Sequence, residues 1–218
     1  MTLLLPLLLA SASPRRRQII ASLGLPYTVG ISPLNEDEVQ ATYTGPIEET
    51  AKWTAEQKAT AALTLTQAAN RLIIAADTTV LLHNEILGKP RDVAHARELL
   101  LALRGRWHHV ITGVVACAMV SGKLQLSSAS CTTPVLMRHY SEDEIDAYIA
   151  TGDPMDKAGA YGIQHTQFQP TERIDGCFLN VVGLPLCVVT TLLAQFGVIP
   201  TEEGLKDTPC RWSERCLI

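Results

Sequence analysis

Residues 3–24 read LLLPLLLASASPRRRQIIASLG. An apolar run is followed by a short turn of small residues and then by a helical pattern, which is the order strand, turn, helix. Ser13 is a suitable N-cap and Pro14 a suitable first helical residue, because proline's missing N–H costs nothing there. Apolar residues then recur at helical spacing up to Leu23, and Gly24 can end the helix. The stretch predicts a first strand that leads directly into a helix.

The apolar residues at the start of the chain raise one alternative, a secretory signal peptide. Residues 2–10 are almost all apolar, and Ala10-Ser11-Ala12 resembles a cleavage site. A signal peptide carries positive charge before its apolar run, whereas the arginines here follow it, and the run is too short to span a bilayer. We therefore expect a buried strand at residues 3–9 and a cytoplasmic protein without a membrane segment.

Strand and helix patterns alternate along most of the remaining chain. The predicted segments are strands at 27–31 and 72–76, hairpins over 80–87 and 110–130, and helices at 46–69, 92–103 and 141–149, with Pro185 opening a last helix. This alternation predicts an α/β fold with a mixed sheet. Because no internal repeat or long linker divides the chain, we expect one domain over residues 1–197 and a polar tail over 198–218.

Composition and charge exclude some classes of function. The chain has 218 residues, of which 47% are hydrophobic and 18% charged, as in ordinary soluble globular proteins. The net charge of −4 gives no electrostatic reason to bind a nucleic-acid duplex, which requires a basic surface. A nucleotide remains compatible with this charge, because one local cluster of cations is enough to bind it.

The six cysteines lie at positions 117, 131, 177, 187, 210 and 216. They contain no C-x-x-C pair and no partner histidines at zinc-ligand spacing. Four of them sit among apolar neighbours, where a cysteine behaves as a small hydrophobe. We expect reduced thiols and no disulfide framework, since such frameworks belong mainly to small secreted domains.

The segment from Ser11 to Arg17 is the first candidate site. A helix N-terminus presents unpaired N–H groups and a partial positive charge, which together attract anions. Arg15 and Arg16 add guanidinium groups that bind phosphate oxygens in pairs and stay charged. The segment therefore predicts a triphosphate site. The alternative is a capped helix whose arginines are simply solvated.

Three further positions carry groups that suit phosphate chemistry. Asp77, at the end of the predicted strand 72–76, could hold Mg²⁺ or take a proton from water, or it could be an ordinary turn aspartate. Lys89, held between Gly and Pro, could meet a phosphate as a point charge, or it could be a surface lysine. Lys58, within a predicted helix, is open to either interpretation.

The segment 156–164, DKAGAYGIQ, could approach a ligand closely because its glycines and alanines are small. Gln164 offers a donor and an acceptor, which suit the edge of a base. An ordinary surface loop is the alternative. The six histidines do not form a nucleophile-and-base set, so acids and cations together favour metal-assisted attack of water on phosphorus.

Taken together, these motifs resemble those of the Maf family of nucleoside triphosphate pyrophosphatases. The motifs are ASASPRR at 10–16, KA at 58–59, ADT at 76–78, GKP at 88–90, TGV at 112–114, DKAGAYGIQ at 156–164 and VVGLP at 181–185. Their order and spacing are specific, and the resemblance runs from about residue 8 to about residue 197. It implies a Maf/inosine triphosphatase-like fold, in which a mixed twisted sheet is flanked by helices and two lobes enclose a cleft, often in a homodimer.

The same resemblance implies a reaction and a set of roles. A nucleoside triphosphate would be hydrolysed between its α and β phosphates with a divalent metal cation, Mg²⁺ or Mn²⁺. Asp77 would be the base that activates water, and would also be a metal ligand. Glu36 matches the family's acidic position after the second strand and is the second candidate ligand, with Glu38 as its rival. The phosphate charge would be neutralised by the cations Arg15, Arg16, Lys58 and Lys89.

Family members divide by the base that they prefer, dTTP and UTP in one branch and 7-methyl-GTP in another. The first branch has Thr after the catalytic Asp, and this chain has Thr78, together with Arg16 and Gln164. The resemblance therefore implies dTTP and UTP, including modified pyrimidine nucleotides, as substrates. His165 and Cys177 depart from the family's pattern beside the base-recognition loop.

Two other functions compete with this one. The first is a non-catalytic nucleotide-binding regulator of septum formation and cell division, which would keep the cations but need no base. The second is a phosphohydrolase that releases the γ-phosphate. Asp77 favours the pyrophosphatase over the regulator.

Overall fold

A computed structural model describes residues 5–200 of the protein. Seven strands form one sheet in the order β2-β1-β3-β5-β6-β7, and β4 pairs with β3 beside this path. The strands are β1 Leu7–Ala10, β2 Tyr27–Gly30, β3 Leu72–Leu82, β4 Glu85–Leu87, β5 Trp107–Val120, β6 Lys123–Met137 and β7 Thr171–Ile174. The helices are α1 Pro14–Ala21, α2 Glu36–Ala41, α3 Thr50–Ala62, α4 Val93–Leu103, α5 Glu142–Ala150, α6 Phe178–Val182 and α7 Leu186–Gln195.

The sheet is mixed, as the sequence predicts. β1 pairs in parallel with β2 and with β3, and the remaining pairs are antiparallel. The predicted α/β fold is therefore confirmed, whereas the division into two lobes and the domain limits stay predictions. Residues 3 and 4 of the predicted first strand and residues 201–218 of the predicted tail lie outside the described residues. No helix within 5–200 has the length and apolarity needed to span a bilayer.

The first strand explains the apolar run at the start of the chain, because both of its faces are buried. Leu7 and Leu9 belong to the core that packs against α1 and α7, while Leu8 and Ala10 belong to a second core with the alanines of α3. A strand covered on both faces shows a continuous apolar pattern instead of an alternating one. This packing fixes the end of β1, and with it the loop that leads to α1.

β3 corrects the prediction made for the strand 72–76. It continues to Leu82, so Asp77 lies in the middle of the strand and not at its end. The polar residues that resembled a turn remain in the ladder, where Asp77 is paired with Gly113 of β5. A hairpin follows, and it turns at His83 and Asn84 as predicted, both with positive φ.

The predicted helix 46–69 is also shorter in the structure. It consists of a 3-10 turn at Ile47–Glu49, the helix α3 and a second 3-10 turn at Thr66–Ala68. The short helices α2 and α6 and the edge strand β7 were not predicted. Each of these three elements is at most six residues long, so its sequence carries little periodicity.

Candidate active site

A cleft of about 660 Å³ lies beside the carboxyl end of β1 and the middle of β3. It is lined by the loop after β1, by α2, by the middle of β3, by the turn after β4 and by the loop 153–166. Nine site residues were predicted from the sequence, and all of them except Lys58 line this cleft: Ser11, Arg15, Arg16, Glu36, Asp77, Thr78, Lys89 and Gln164. The fold thus brings together segments that lie far apart in the chain.

The loop between β1 and α1 is held in one conformation by its own serines. The N-cap prediction for Ser13 is confirmed, since its Oγ accepts from the backbone N–H of Arg16 at 3.4 Å. Oγ of Ser11 accepts from the backbone N–H of Ser13 at 3.2 Å. The loop therefore presents the N-terminus of α1, with its partial positive charge, to the cleft.

Arg16 is the most constrained cation of the cleft, with 9% of its surface exposed. Its Nε donates to the carbonyl of Gly183 at 2.8 Å, its Nη2 to Oγ1 of Thr78 at 3.0 Å and its Nη1 to Oγ of Ser11 at 3.5 Å. Burial lowers the pKa of this guanidinium, and the carboxylate of Asp77 opposes that shift. An arginine still keeps its charge, because its ordinary pKa is so high.

Arg15 and Lys89 are more accessible than Arg16. Nη1 of Arg15 lies 3.6 Å from a carboxylate oxygen of Asp156, in the loop across the cleft. Lys89 is exposed on the cleft wall, directly after β4. The two side chains can therefore move toward a charged ligand at small cost.

Lys58, Asp77 and Glu36 form a compact charged cluster at the base of the cleft. Nζ of Lys58 lies 2.6 Å from Oε1 of Glu36 and 3.7 Å from Oδ1 of Asp77, and it also donates to the carbonyl of Ala76 at 3.0 Å. Only 3% of Lys58 and 4% of Asp77 are exposed. Lys58 lies behind the two acids and does not line the cleft, so its predicted contact with substrate stays a prediction and its observed partners are the carboxylates.

Burial and charge shift the three pKa values in this cluster in different directions. Burial raises the pKa of Asp77, even though Lys58 and Arg16 favour its ionised form. Burial would also raise the pKa of Glu36, but the nearby cations, Lys58 foremost, together outweigh it, and the pKa is lowered. Burial and the nearby Arg16 lower the pKa of Lys58. Asp77 is therefore a stronger base than a solvated carboxylate.

Gln40 is a site residue that the sequence analysis missed. Its Nε2 donates to Oδ2 of Asp77 at 3.1 Å, and it lines the cleft. The amide and Lys58 contact different oxygens of Asp77 and so fix the plane of the carboxylate. Gln40 lies on α2, a short and mostly polar helix, so nothing in its sequence marked it.

Thr112 is a second residue whose position was not predicted. Its Oγ1 donates to the carbonyl of Asn180 at 3.0 Å and lies 3.0 Å from Oγ1 of Thr78. The chain of contacts from Arg16 through Thr78 and Thr112 reaches α6, where Asn180 is fully buried. The threonine after Asp77 is thus held from both sides.

The loop 153–166 closes the cleft opposite α1. Nζ of Lys157 contacts carboxylate oxygens of Asp153 at 2.9 Å and Asp156 at 2.7 Å, which draws the loop together. Gly159 has a φ of +69°, a backbone conformation that favours glycine. Two residues later, the hydroxyl of Tyr161 lies 2.7 Å from Nε2 of the buried His108. This internal packing positions Gln164 on the cleft wall.

The donor atoms in the cleft suit a divalent metal cation. Mg²⁺ is commonly bound by one or two carboxylates together with oxygens of substrate phosphates. Asp77 and Glu36 both line the cleft and both contact the ammonium group of Lys58, so the two carboxylates lie close to each other. Glu38, the rival candidate, accepts instead from the side chain of Asn35 at 2.8 Å. These two carboxylates could hold the metal once phosphates supply the remaining ligands.

Comparisons with known proteins find similarity over most of the chain. The model of a family described as Maf-like protein matches residues 6–196. A protein of Moorella thermoacetica named dTTP/UTP pyrophosphatase is 44% identical over 192 residues, which are 88% of this chain and 95% of that relative. A dTTP/UTP pyrophosphatase of Dictyoglomus thermophilum is 40% identical over 195 residues, with 88% of this chain and 96% of the relative covered. One of Hahella chejuensis is 39% identical over 197 residues, with 88% and 92% covered.

Proposed function

Because the chain belongs to the Maf family, which its match over residues 6–196 shows, we propose that it hydrolyses dTTP and UTP to the monophosphate and pyrophosphate. Relatives named dTTP/UTP pyrophosphatase, 39–44% identical over 88% of the chain, support this substrate class. The structural observation that carries the proposal is Asp77, a buried carboxylate held between Lys58 and Gln40 at the wall of a cationic cleft.

The triphosphate binds at the N-terminus of α1. Its charge meets the unpaired N–H groups of the first helical turn, the guanidinium of Arg15 and the ammonium of Lys89. Arg16 is committed to three protein acceptors, so it supplies positive charge with little freedom to move. Charges fixed before the substrate arrives stabilise a developing negative charge without reorganisation.

Asp77 takes the proton of the attacking water. Its raised pKa makes it a better proton acceptor than a solvated carboxylate, and Gln40 and Lys58 hold the carboxylate in one orientation. The pentavalent arrangement at the α-phosphorus then loses pyrophosphate, whose charge is balanced by the cations at α1. Asp77 and Glu36, together with phosphate oxygens, would hold a divalent cation, which would supply Lewis-acid polarisation of the phosphate. The ammonium of Lys58 lies between the charges of Glu36 and Asp77 and reduces the repulsion between these two carboxylates.

The pyrimidine base of the substrate lies toward the loop 153–166. Gln164 on the cleft wall can both donate to and accept from a pyrimidine edge, and a base that left these groups unpaired would be rejected. Thr78, held by Arg16 and Thr112, fixes the shape of the opposite wall. A cytoplasmic location, a homodimeric assembly and the absence of nucleic-acid and membrane partners are proposed with this substrate.

The proposal is tested by pyrophosphate release with Mg²⁺ or Mn²⁺ from dTTP, UTP, CTP, dATP, GTP and 7-methyl-GTP, with each product nucleotide identified. We expect turnover of dTTP and UTP above the others, with the monophosphate as product. Preference for 7-methyl-GTP would keep the reaction and overturn the roles of Thr78 and Gln164. Release of orthophosphate would identify a γ-phosphohydrolase, and binding without any turnover would favour the regulatory function.

A further inference from the structure

Three cysteines that are far apart in the sequence meet in the fold. Cys131 lies on β6, Cys177 is the N-cap of α6 and Cys187 lies in the first turn of α7. Their Sγ atoms all lie within 4.8 Å of one another. Among the described residues, this is the one group of three or more Cys, His, Asp or Glu side chains whose ligand atoms converge in this way. We refer to Cys131, Cys177 and Cys187 as the cysteine triad.

We propose that the cysteine triad binds one thiophilic metal ion with a filled d shell, such as Zn²⁺ or Cu⁺. Thiolates are preferred ligands of such ions. Zn–S bonds of about 2.3 Å in tetrahedral geometry place sulfurs about 3.8 Å apart. The observed limit of 4.8 Å is thus about 1 Å from a bound arrangement, which small χ1 rotations of cysteine can supply.

The backbone around the triad is held in place before any metal binds. The N–H of Cys177 donates to Oγ1 of Thr133 at 3.2 Å, and that hydroxyl donates back to the carbonyl of Cys177 at 3.3 Å. Cys177 is buried, while Cys131 and Cys187 are partly exposed, so an ion can enter from the solvent side. The three cysteines belong to or pack against the apolar core that contains β1, α1 and α7, where a thiolate charge is costly to bury and a bound cation would compensate it.

Binding follows a simple proton balance. Each of the three thiols gives its proton to the solvent, three metal–sulfur bonds form, and water or a small ligand completes the coordination of Zn²⁺. No oxidant or reductant takes part. The affinity therefore increases with pH, since protons and metal compete for the sulfurs.

The triad is distinct from the candidate active site but is connected to it by short paths. Cys131 is the cross-strand partner of Thr112, which contacts Thr78. Cys177 begins α6, and the carbonyl of Gly183 at the end of that helix accepts from Arg16. A metal that ties β6, α6 and α7 together would therefore stabilise the backbone that positions Arg16.

The test uses Co²⁺ as a spectroscopic probe on the full-length protein, reduced and stripped of metal. We expect one equivalent per chain to produce the near-ultraviolet thiolate-to-cobalt charge-transfer band, and Zn²⁺ to displace it. A cobalt ion at carboxylates produces no such band, so the readout is specific for thiolate ligands and independent of activity. Cys131→Ser and Cys187→Ser, checked for folding by circular dichroism, should lose the band.

Two matched controls keep the result specific. Cys117→Ala removes a buried thiol outside the triad, and the double variant Cys210→Ser/Cys216→Ser removes the thiols of the C-terminal segment. Both should retain the band. A band that is absent from the wild type, that survives in Cys131→Ser and Cys187→Ser, or that disappears in the C-terminal variant would overturn the proposal. A disulfide within the triad of the protein purified without reductant would overturn it as well.

Discussion

Nη2 of Arg16 donates to Oγ1 of Thr78 at 3.0 Å, which joins the loop after β1 to the middle of β3. The contact lies at the wall of the cleft, one residue from Asp77. Because Arg16 is almost completely buried, each acceptor that it loses leaves an N–H group of the charged guanidinium without a hydrogen-bond partner. The position of the cation thus depends on the threonine that follows the proposed base.

Thr78→Val removes this acceptor while keeping the shape of the side chain. A hydrogen bond to a charged group contributes about 1.5–3 kcal/mol, so we expect kcat/KM for dTTP to fall by about tenfold or more. Thr78→Ser keeps the hydroxyl and should stay near wild type. Steady-state kinetics with dTTP distinguish the two. Equal activity of wild type and Thr78→Val would mean that the contact does not position Arg16.

Lys58→Met leaves Asp77 and Glu36 without the ammonium that they share. Removing one partner of a buried ion pair costs about 3 kcal/mol or more, and we expect a loss of this size in the free energy of unfolding, measured with urea. Lys52→Met is a matched control on the same helix, because Lys52 pairs with Glu49 at the surface and its loss should cost under about 1 kcal/mol. Similar losses in both variants would remove the argument for a buried cluster.

The raised pKa of Asp77 predicts how stability depends on pH in the metal-free protein. A carboxyl whose pKa is higher in the folded state than its usual 3.8 stabilises the fold only while protonated, and the benefit is lost as pH rises through the folded pKa. Asp77→Asn is neutral at every pH. We therefore expect the unfolding free energy of Asp77→Asn, relative to wild type, to increase from acid to neutral pH in the presence of chelator. A difference that decreases over this interval would show that the pKa is lowered instead.

Gly113 allows α3 to pack directly on β5. A Cβ at this position would fall on the backbone of Ala51 and Lys52, which cannot move without shifting the helix. We expect Gly113→Ala to lower the free energy of unfolding by about 2 kcal/mol or more. Gly88→Ala is the control, because its Cβ meets no atom within 4 Å. Equal melting temperatures of the two variants would contradict the close approach.

Local rules explain what the sequence could predict. The N-cap at Ser13 and the capping box of Ser141 and Glu144 depend on residues three positions apart, and both are present in the structure. The predicted hairpin over 110–130 is equally local, and in the structure it joins β5 to β6. The loop at the N-terminus of α1 was predictable for the same reason.

Long-range packing explains what the sequence could not predict. Asp77 reads as the end of a strand, and only its pairing with Gly113 keeps it within β3. Gln40 reaches Asp77 from a polar helix with no periodic signal, across 37 residues of chain. The cysteines at 131, 177 and 187 show no metal-binding spacing, yet three separate elements bring their sulfurs together.

The most direct test of the proposed function is turnover of dTTP by Asp77→Asn beside the wild type, with monophosphate and pyrophosphate both quantified. Asn keeps the size of the side chain but cannot accept the proton of water, so we predict that kcat falls by about 100-fold or more. Asp146→Asn, which alters a surface acid paired with Arg97, is the control and should match the wild type. Wild-type turnover by Asp77→Asn would contradict the assignment of Asp77 as the base.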